Sequence, residues 1–211
     1  MPVPTLLPNI EWQSVFESAW DYSAWRSKGQ ARVDSDFLAT FPEDKIEKVR
    51  EFLADNRANM DETDASYQLD ADTESCLAAL GRTVNVLCIA EDWCPDVVRH
   101  VPILQKMADS SEKINVRYVM RSDQLEIFSR YLTAGGEAVP KFIFLSQEFV
   151  ECGAWGPMPT ACRRLIARGR ACGDIAAARE SVSALYKSDV DRHIVVEELM
   201  YEIDTASCAA P

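Results

Sequence analysis

The stretch IAEDWCPDVVRH, residues 89–100, sets a lone cysteine, Cys94, after an apolar run and directly before a proline suited to the first turn of a helix. A thiol at a helix start lies near exposed N–H groups and the positive end of the helix dipole, and both favour thiolate. Asp92 and Asp96 flank it, and their charges raise a thiol pKa. The two effects oppose each other, and the net sign is left to the folded geometry. Where a C-x-x-C motif would place its second cysteine, three residues on, stands Val97. His100 follows by six residues, about 240° further round a helix, so it is expected to be a solvated side chain near the helix middle and not the base for Cys94.

The remaining chemistry-bearing residues are sparse. The seven cysteines are Cys76, Cys88, Cys94, Cys152, Cys162, Cys172 and Cys208, with no C-x-x-C pair among them. The ten-residue spacing of Cys152, Cys162 and Cys172 suits neither a zinc knuckle nor a compact disulfide framework, so most are expected to be free thiols behaving as small hydrophobes. Cys152 invites consideration as a distant resolving thiol, but a half-buried strand cysteine is the simpler description. His193 reads as packing or surface. No H-x-x-x-H, Ser-His-Asp order or phosphate loop is present, so no metal site and no organic cofactor is expected.

Composition narrows the partners. Lys+Arg 22 against Asp+Glu 34 gives a formal net charge of -12, which opposes phosphate backbones and anionic lipid, so nucleic acid and membrane surface are set aside. MPVPTLLPNIEW lacks a basic segment and a long apolar core, making it a poor signal peptide, and no apolar run nears the roughly 20 residues of a membrane span. The chain reads as cytoplasmic. RRLIARGR, residues 163–170, is a local basic patch suited to an acidic partner.

These residues need elements to position them. Ile10 to Lys28 carries apolar residues at three- and four-residue steps and predicts one helix, with Trp12, Trp20 and Trp25 read as core contacts. FPEDKIEKVREFLADN predicts a second, starting at Pro42, while the acidic NMDETDASYQLDADTE reads as a solvated loop with a short helix from Glu74 to Leu80. TVNVLCIA predicts a strand covered on both faces, and Val97, Val98, Val101, Leu104 and Met107 the stripe of the helix behind Cys94. KINVRYVMR, VPKFIFLS and FVECGAWG predict three further strands, and DQLEIFSRYLTAGG a helix closed by Gly135 and Gly136. MPTACRRLIARGR, IAAARESVSALYK and VDRHIVVEELMYEID predict the last helices, with six frayed residues at the end. This order is α/β.

VLCIAEDWCPD, then AVPKFIFL, then WGP resembles the thioredoxin superfamily, and within it a bacterial branch with a single-cysteine E-D-W-C-x-D motif. The resemblance covers residues 76–170 well and the N-terminal helices more loosely. It implies a thioredoxin-like fold, a central mixed sheet flanked by helices, with a helical N-terminal extension over 1–75, the thioredoxin-like domain over 76–172 and a C-terminal helical tail over 173–211. It also implies that Cys94 is the nucleophile and Pro140 the proline the family keeps cis. Trp93, Pro95, Asp96, Val139, Trp155 and Gly156 would shape the substrate groove, Val139 offering backbone groups and Gly156 admitting a partner, with Trp93 and Trp155 either forming an apolar platform or one of them buried.

Two departures bear on activity. Val97 replaces the resolving cysteine, and Cys88 stands where thioredoxins carry a buried acid, so a general dithiol reductase is not expected. The expected function is a monothiol thioredoxin-like protein that forms mixed disulfides with a protein or small thiol, resolved by glutathione or another low-molecular-weight thiol. A non-catalytic interaction module using the Trp93/Pro140 groove is the competing reading. Peroxide reduction ranks last, for want of the threonine and arginine pattern around Cys94. The added helices would block the groove, extend it, or build a homo-oligomer.

Overall fold

The computed structural model describes residues 9–34 and 37–209. The expectation for the first eight residues lies outside that range. Strands β1 (Val84–Ile89), β2 (Ile114–Val119), β3 (Lys141–Leu145) and β4 (Glu151–Trp155) form a sheet of order β2-β1-β3-β4. β1 runs parallel to β2 and antiparallel to β3, and β3 is antiparallel to β4, so the sheet is mixed as the motif order implies. Every residue of β1 and β3 is buried, which is why both read as apolar runs without alternation, broken only by Asn85 and Lys141.

Helix α5 (Pro95–Asp109) crosses from β1 to β2 and buries Val97, Val98, Val101, Leu104 and Met107 against the sheet. Each such side chain stabilises by roughly 1.5–3 kcal/mol, which outweighs the bond that Pro102 in the helix interior cannot donate. The closing helices are α7 (Thr160–Cys172), α8 (Ile175–Ser188) and α9 (His193–Cys208). α9 carries Val195, Val196, Leu199 and Ile203 into the same apolar cluster as the sheet. It continues to Cys208, so the first three of the six residues expected to fray are helical, and residues 210–211 lie outside the described range.

The N-terminal segment departs most from expectation. In place of one helix over Ile10 to Lys28 there are two, α1 (Trp12–Ser18) and α2 (Tyr22–Asp34). Between them Trp20 pairs with Tyr118 through N–H···O bonds of 3.0 and 2.8 Å, adding a one-residue bridge that covers the outer edge of β2. Trp25 is fully buried, stacked on Tyr118 at 5.3 Å, and its indole N–H reaches the Ala90 carbonyl at 3.3 Å. The three tryptophans pack as core, Trp20 partly buried and the others buried.

α3 (Glu43–Ser66) overruns the expected loop because Leu53, Asn56 and Met60 prolong the buried stripe, and α4 (Ala71–Ala78) starts early, capped by Asp70 on the Thr73 N–H at 2.8 Å. The helix expected over residues 123–136 is a single turn, α6 (Leu125–Phe128), followed by a tight 3-10 turn. Gly135 and Gly136 do not end it. They close a turn in which Thr133 and Gly136 exchange two 2.9 Å bonds, with Gly135 at φ 76°.

Candidate functional site

Cys94 caps α5. Its backbone is extended (φ -85°, ψ 124°), Pro95 occupies the first turn, and the Cys94 N–H returns to the Glu91 carbonyl at 3.0 Å, which closes the loop after β1. Across the loop, the chain before β3 brings up Val139 and Pro140, joined by a cis peptide bond. The Cys94 thiol donates to the Val139 carbonyl at 3.3 Å. Cys94, Pro95, Asp96, Val139 and Pro140 are thus brought together at one end of the sheet, with Pro95 exposed and Val139 and Pro140 buried.

Burial pushes the Cys94 thiol above its usual range. The backbone amide of Val97 pulls the other way, the Asp96 charge raises it again, and the Asp96 amide and the Arg121 guanidinium lower it. The helix-start effect is therefore real but loses to desolvation. Asp96 is itself pushed up to about 6 by burial, against the pull of Arg99.

The N-terminal helices clamp the Trp-Cys turn. Trp93 is partly buried against Leu38 and Leu53. The buried amide of Asn56 donates to the Trp93 carbonyl at 3.1 Å and to the Asp92 carbonyl at 3.4 Å. From the other side Arg121 lies 5.9 Å above the Trp93 ring and pairs with Glu137 at 3.0 Å. The extension therefore grips the backbone that presents the thiol.

Behind the site the sheet is polar in an unexpected way. Trp155 is 2% exposed, stacked on Phe142 at 5.1 Å and edge-on to His100 at 5.2 Å, with its indole N–H on Glu198 at 2.6 Å. It pairs with Phe142 across the β3–β4 ladder and forms no exposed platform with Trp93. His100 is buried, not solvated: α5 turns that face onto Trp155 and Tyr186, whose hydroxyl lies 3.1 Å from Nε2, and burial drives its pKa well down. Lys141, next to Pro140, donates to Thr133 at 2.6 Å and to the Gly156 carbonyl at 2.9 Å, and burial brings it down to about 8. Gly156, at φ 118°, is also buried; a Cβ there would stand 2.1 Å from the Pro140 carbonyl oxygen. The close approach that needs a glycine is made by the chain's own backbone.

Among the other thiols, Cys88 is fully buried behind the site, and burial raises it well above the usual range. Cys152 is half-buried and donates to the Val150 carbonyl of its own hairpin at 3.2 Å. Among the described residues no group of three His, Cys, Asp or Glu side chains is placed to hold a metal. His193 is exposed near Asp191. The site residues that sequence reasoning missed are Asn56, Arg121 and Lys141. Asn56 carried a signal, a polar residue on the apolar stripe of α3, and Lys141 stood as the one charged residue in the VPKF segment; Arg121 is positioned by contacts distant in sequence and carried none.

A thioredoxin family model, Thioredoxin_9, matches residues 44–177, which takes in α3 and α4 as well as the sheet. No curated protein matches the chain. Among solved structures, a protein of unknown function from Pseudomonas aeruginosa, PA1234, superposes with a TM-score of 0.56 at 16% identity, over 93% of this chain and 98% of that one. An HIV epitope-scaffold is similar at 17% identity and a TM-score of 0.48, over 82% of this chain and 99% of the scaffold. The first shares the fold. No helix among the described residues is long and apolar enough to cross a membrane.

Proposed function

Because the chain belongs to the thioredoxin family, we propose that it acts as a monothiol thioredoxin-like protein, with Cys94 exchanging thiols and disulfides one bond at a time. The observation that carries this reading is the sulfur of Cys94, held at the start of α5 3.3 Å from the Val139 carbonyl beside Pro140. The thiol first loses its proton to water. The thiolate attacks one sulfur of a disulfide; that S–S bond breaks, a Cys94–sulfur bond forms, and the leaving thiolate takes up a proton. With Val97 at the resolving position, a second thiolate, from glutathione or a similar small thiol, attacks the adduct, forms a new disulfide and frees Cys94. A reducing cytoplasm suits the seven unpaired cysteines.

The raised Cys94 pKa favours a second reading, a groove that binds a partner without turnover. Glutathione-dependent reduction of hydroxyethyl disulfide separates the two. The monothiol reading expects activity lost in Cys94→Ser and insulin reduction near background in both proteins; no glutathione-dependent activity in the wild type, or activity retained in Cys94→Ser, contradicts it.

A further inference from the structure

A second cleft opens on the far side of Pro95. It has a volume of about 440 Å³ and lies between α3 and the start of α5, roofed by the α8–α9 turn; its walls include Asn59, Thr63, Pro95, Arg99 and Arg192. Neither Arg99 nor Arg192 closes an ion pair with a described carboxylate, and the Arg99 guanidinium rests over the Tyr186 ring at 4.1 Å. The hydroxyls of Thr63 and Ser66 point back to the carbonyls of Asn59 and Glu62 at 2.9 and 2.7 Å, and the Asn56 amide is spent on the Trp93 turn. The donors left for a ligand are therefore two guanidiniums and the Asn59 amide, faced by one wall acid, Glu62, with the Asp96 carboxylate behind the wall close enough to Arg99 to feel its charge.

The backbone sets one of these donors in place at a cost. Arg192 adopts φ 60° and ψ 23°, a left-handed conformation that glycine takes more easily than a residue with a Cβ. The two arginines also lie near enough to repel, Arg192 lowering the Arg99 pKa behind burial, and a negative group between them relieves that repulsion. Guanidinium forks match the planar or tetrahedral oxygens of carboxylate and phosphate, which they bind through paired N–H groups.

We propose that this cleft is a binding site for a small organic oxyanion, its carboxylate or phosphate gripped by Arg99 and Arg192 and its polar body meeting Asn59. The site is separate from the Cys94–Val139 contact and does not depend on redox turnover. Isothermal titration of the full chain with succinate and, separately, with inorganic phosphate tests it at fixed ionic strength.

Because Arg99 also packs on Tyr186, the deciding variant is Arg192→Gln, with Arg168→Gln on the exposed face of α7 as a control of equal charge change. Asn59→Asp is a second variant that leaves both arginines in place. The expected result is saturable binding of one anion, weakened about tenfold or more by Arg192→Gln and by Asn59→Asp and unchanged in Arg168→Gln. Saturation by succinate alone assigns a carboxylate ligand, and by phosphate alone a phosphate ester. Absence of saturation with both anions overturns the site, as does equal weakening in Arg192→Gln and Arg168→Gln, which would mark a general charge effect.

Discussion

At the scale of single residues, the site is a contest over one proton. Burial raises both Cys94 and Asp96, and the negative charge of Asp96 raises Cys94 further. Asp96→Asn should therefore lower the Cys94 pKa and speed its alkylation by iodoacetamide at pH 8; a slower or unchanged rate would contradict this electrostatic account. The same substitution should alter stability with a definite sign. Folded Asp96 holds its proton up to about pH 6, whereas an unfolded aspartate releases it near roughly 3.9. The fold thus binds the proton more tightly, and stability falls as pH rises between those values. Asp96→Asn removes that loss, so chemical denaturation should show a gain of up to about 3 kcal/mol at pH 7.5 that disappears near pH 4. A gain of equal size at both pH values would contradict it.

At the scale of elements, the legible parts were those where one local pattern decides. β1 and β3, apolar but for Asn85 and Lys141, and the stripe of α5 were readable because burial on both sides of a strand, or on one side of a helix, leaves a direct mark on residue choice. The break between α1 and α2 was not readable: the apolar spacing continues through Trp20, and only its pairing with Tyr118, far along the chain, interrupts the helix. His100 was misread for a related reason. Its neighbours Trp155 and Tyr186 arrive from β4 and α8 and build a polar niche that α5 alone does not reveal.

Glycine positions give a test at this scale. A Cβ at Gly156 meets the Pro140 carbonyl at a φ of 118°, while one at Gly153 meets the movable carboxylate of Glu202. Gly156→Ala should cost more than about 3 kcal/mol in urea denaturation and Gly153→Ala less than about 1 kcal/mol. Equal costs would show that the backbone approach at Pro140 does not restrain the site.

At the scale of the whole molecule, the three segments do not behave as separable layers. One apolar cluster takes in Trp12, Trp25 and Met60 from the extension, the sheet, and Leu199 and Ile203 from α9. The extension does more than cover: through Asn56 and Trp93 it fixes the loop that carries Cys94. The resemblance in WCPD and VPKF located the site, but its closure by α3 rests on contacts between residues nearly forty positions apart, such as Asn56 and Trp93. Those contacts leave no short-range signature. They also bear on which of seven free thiols reacts, because Cys76, Cys172 and Cys208 are exposed while Cys94 is only partly so.

The central claim is that position, and not exposure, selects Cys94. The direct measurement is peptide mapping by mass spectrometry after brief treatment of the native protein with glutathione disulfide at pH 8, followed by reduced glutathione. The account predicts an adduct on Cys94 that is removed by reduced glutathione, whatever forms on the exposed Cys76, Cys172 and Cys208. Adducts confined to the three exposed cysteines, with Cys94 unmodified, would contradict it.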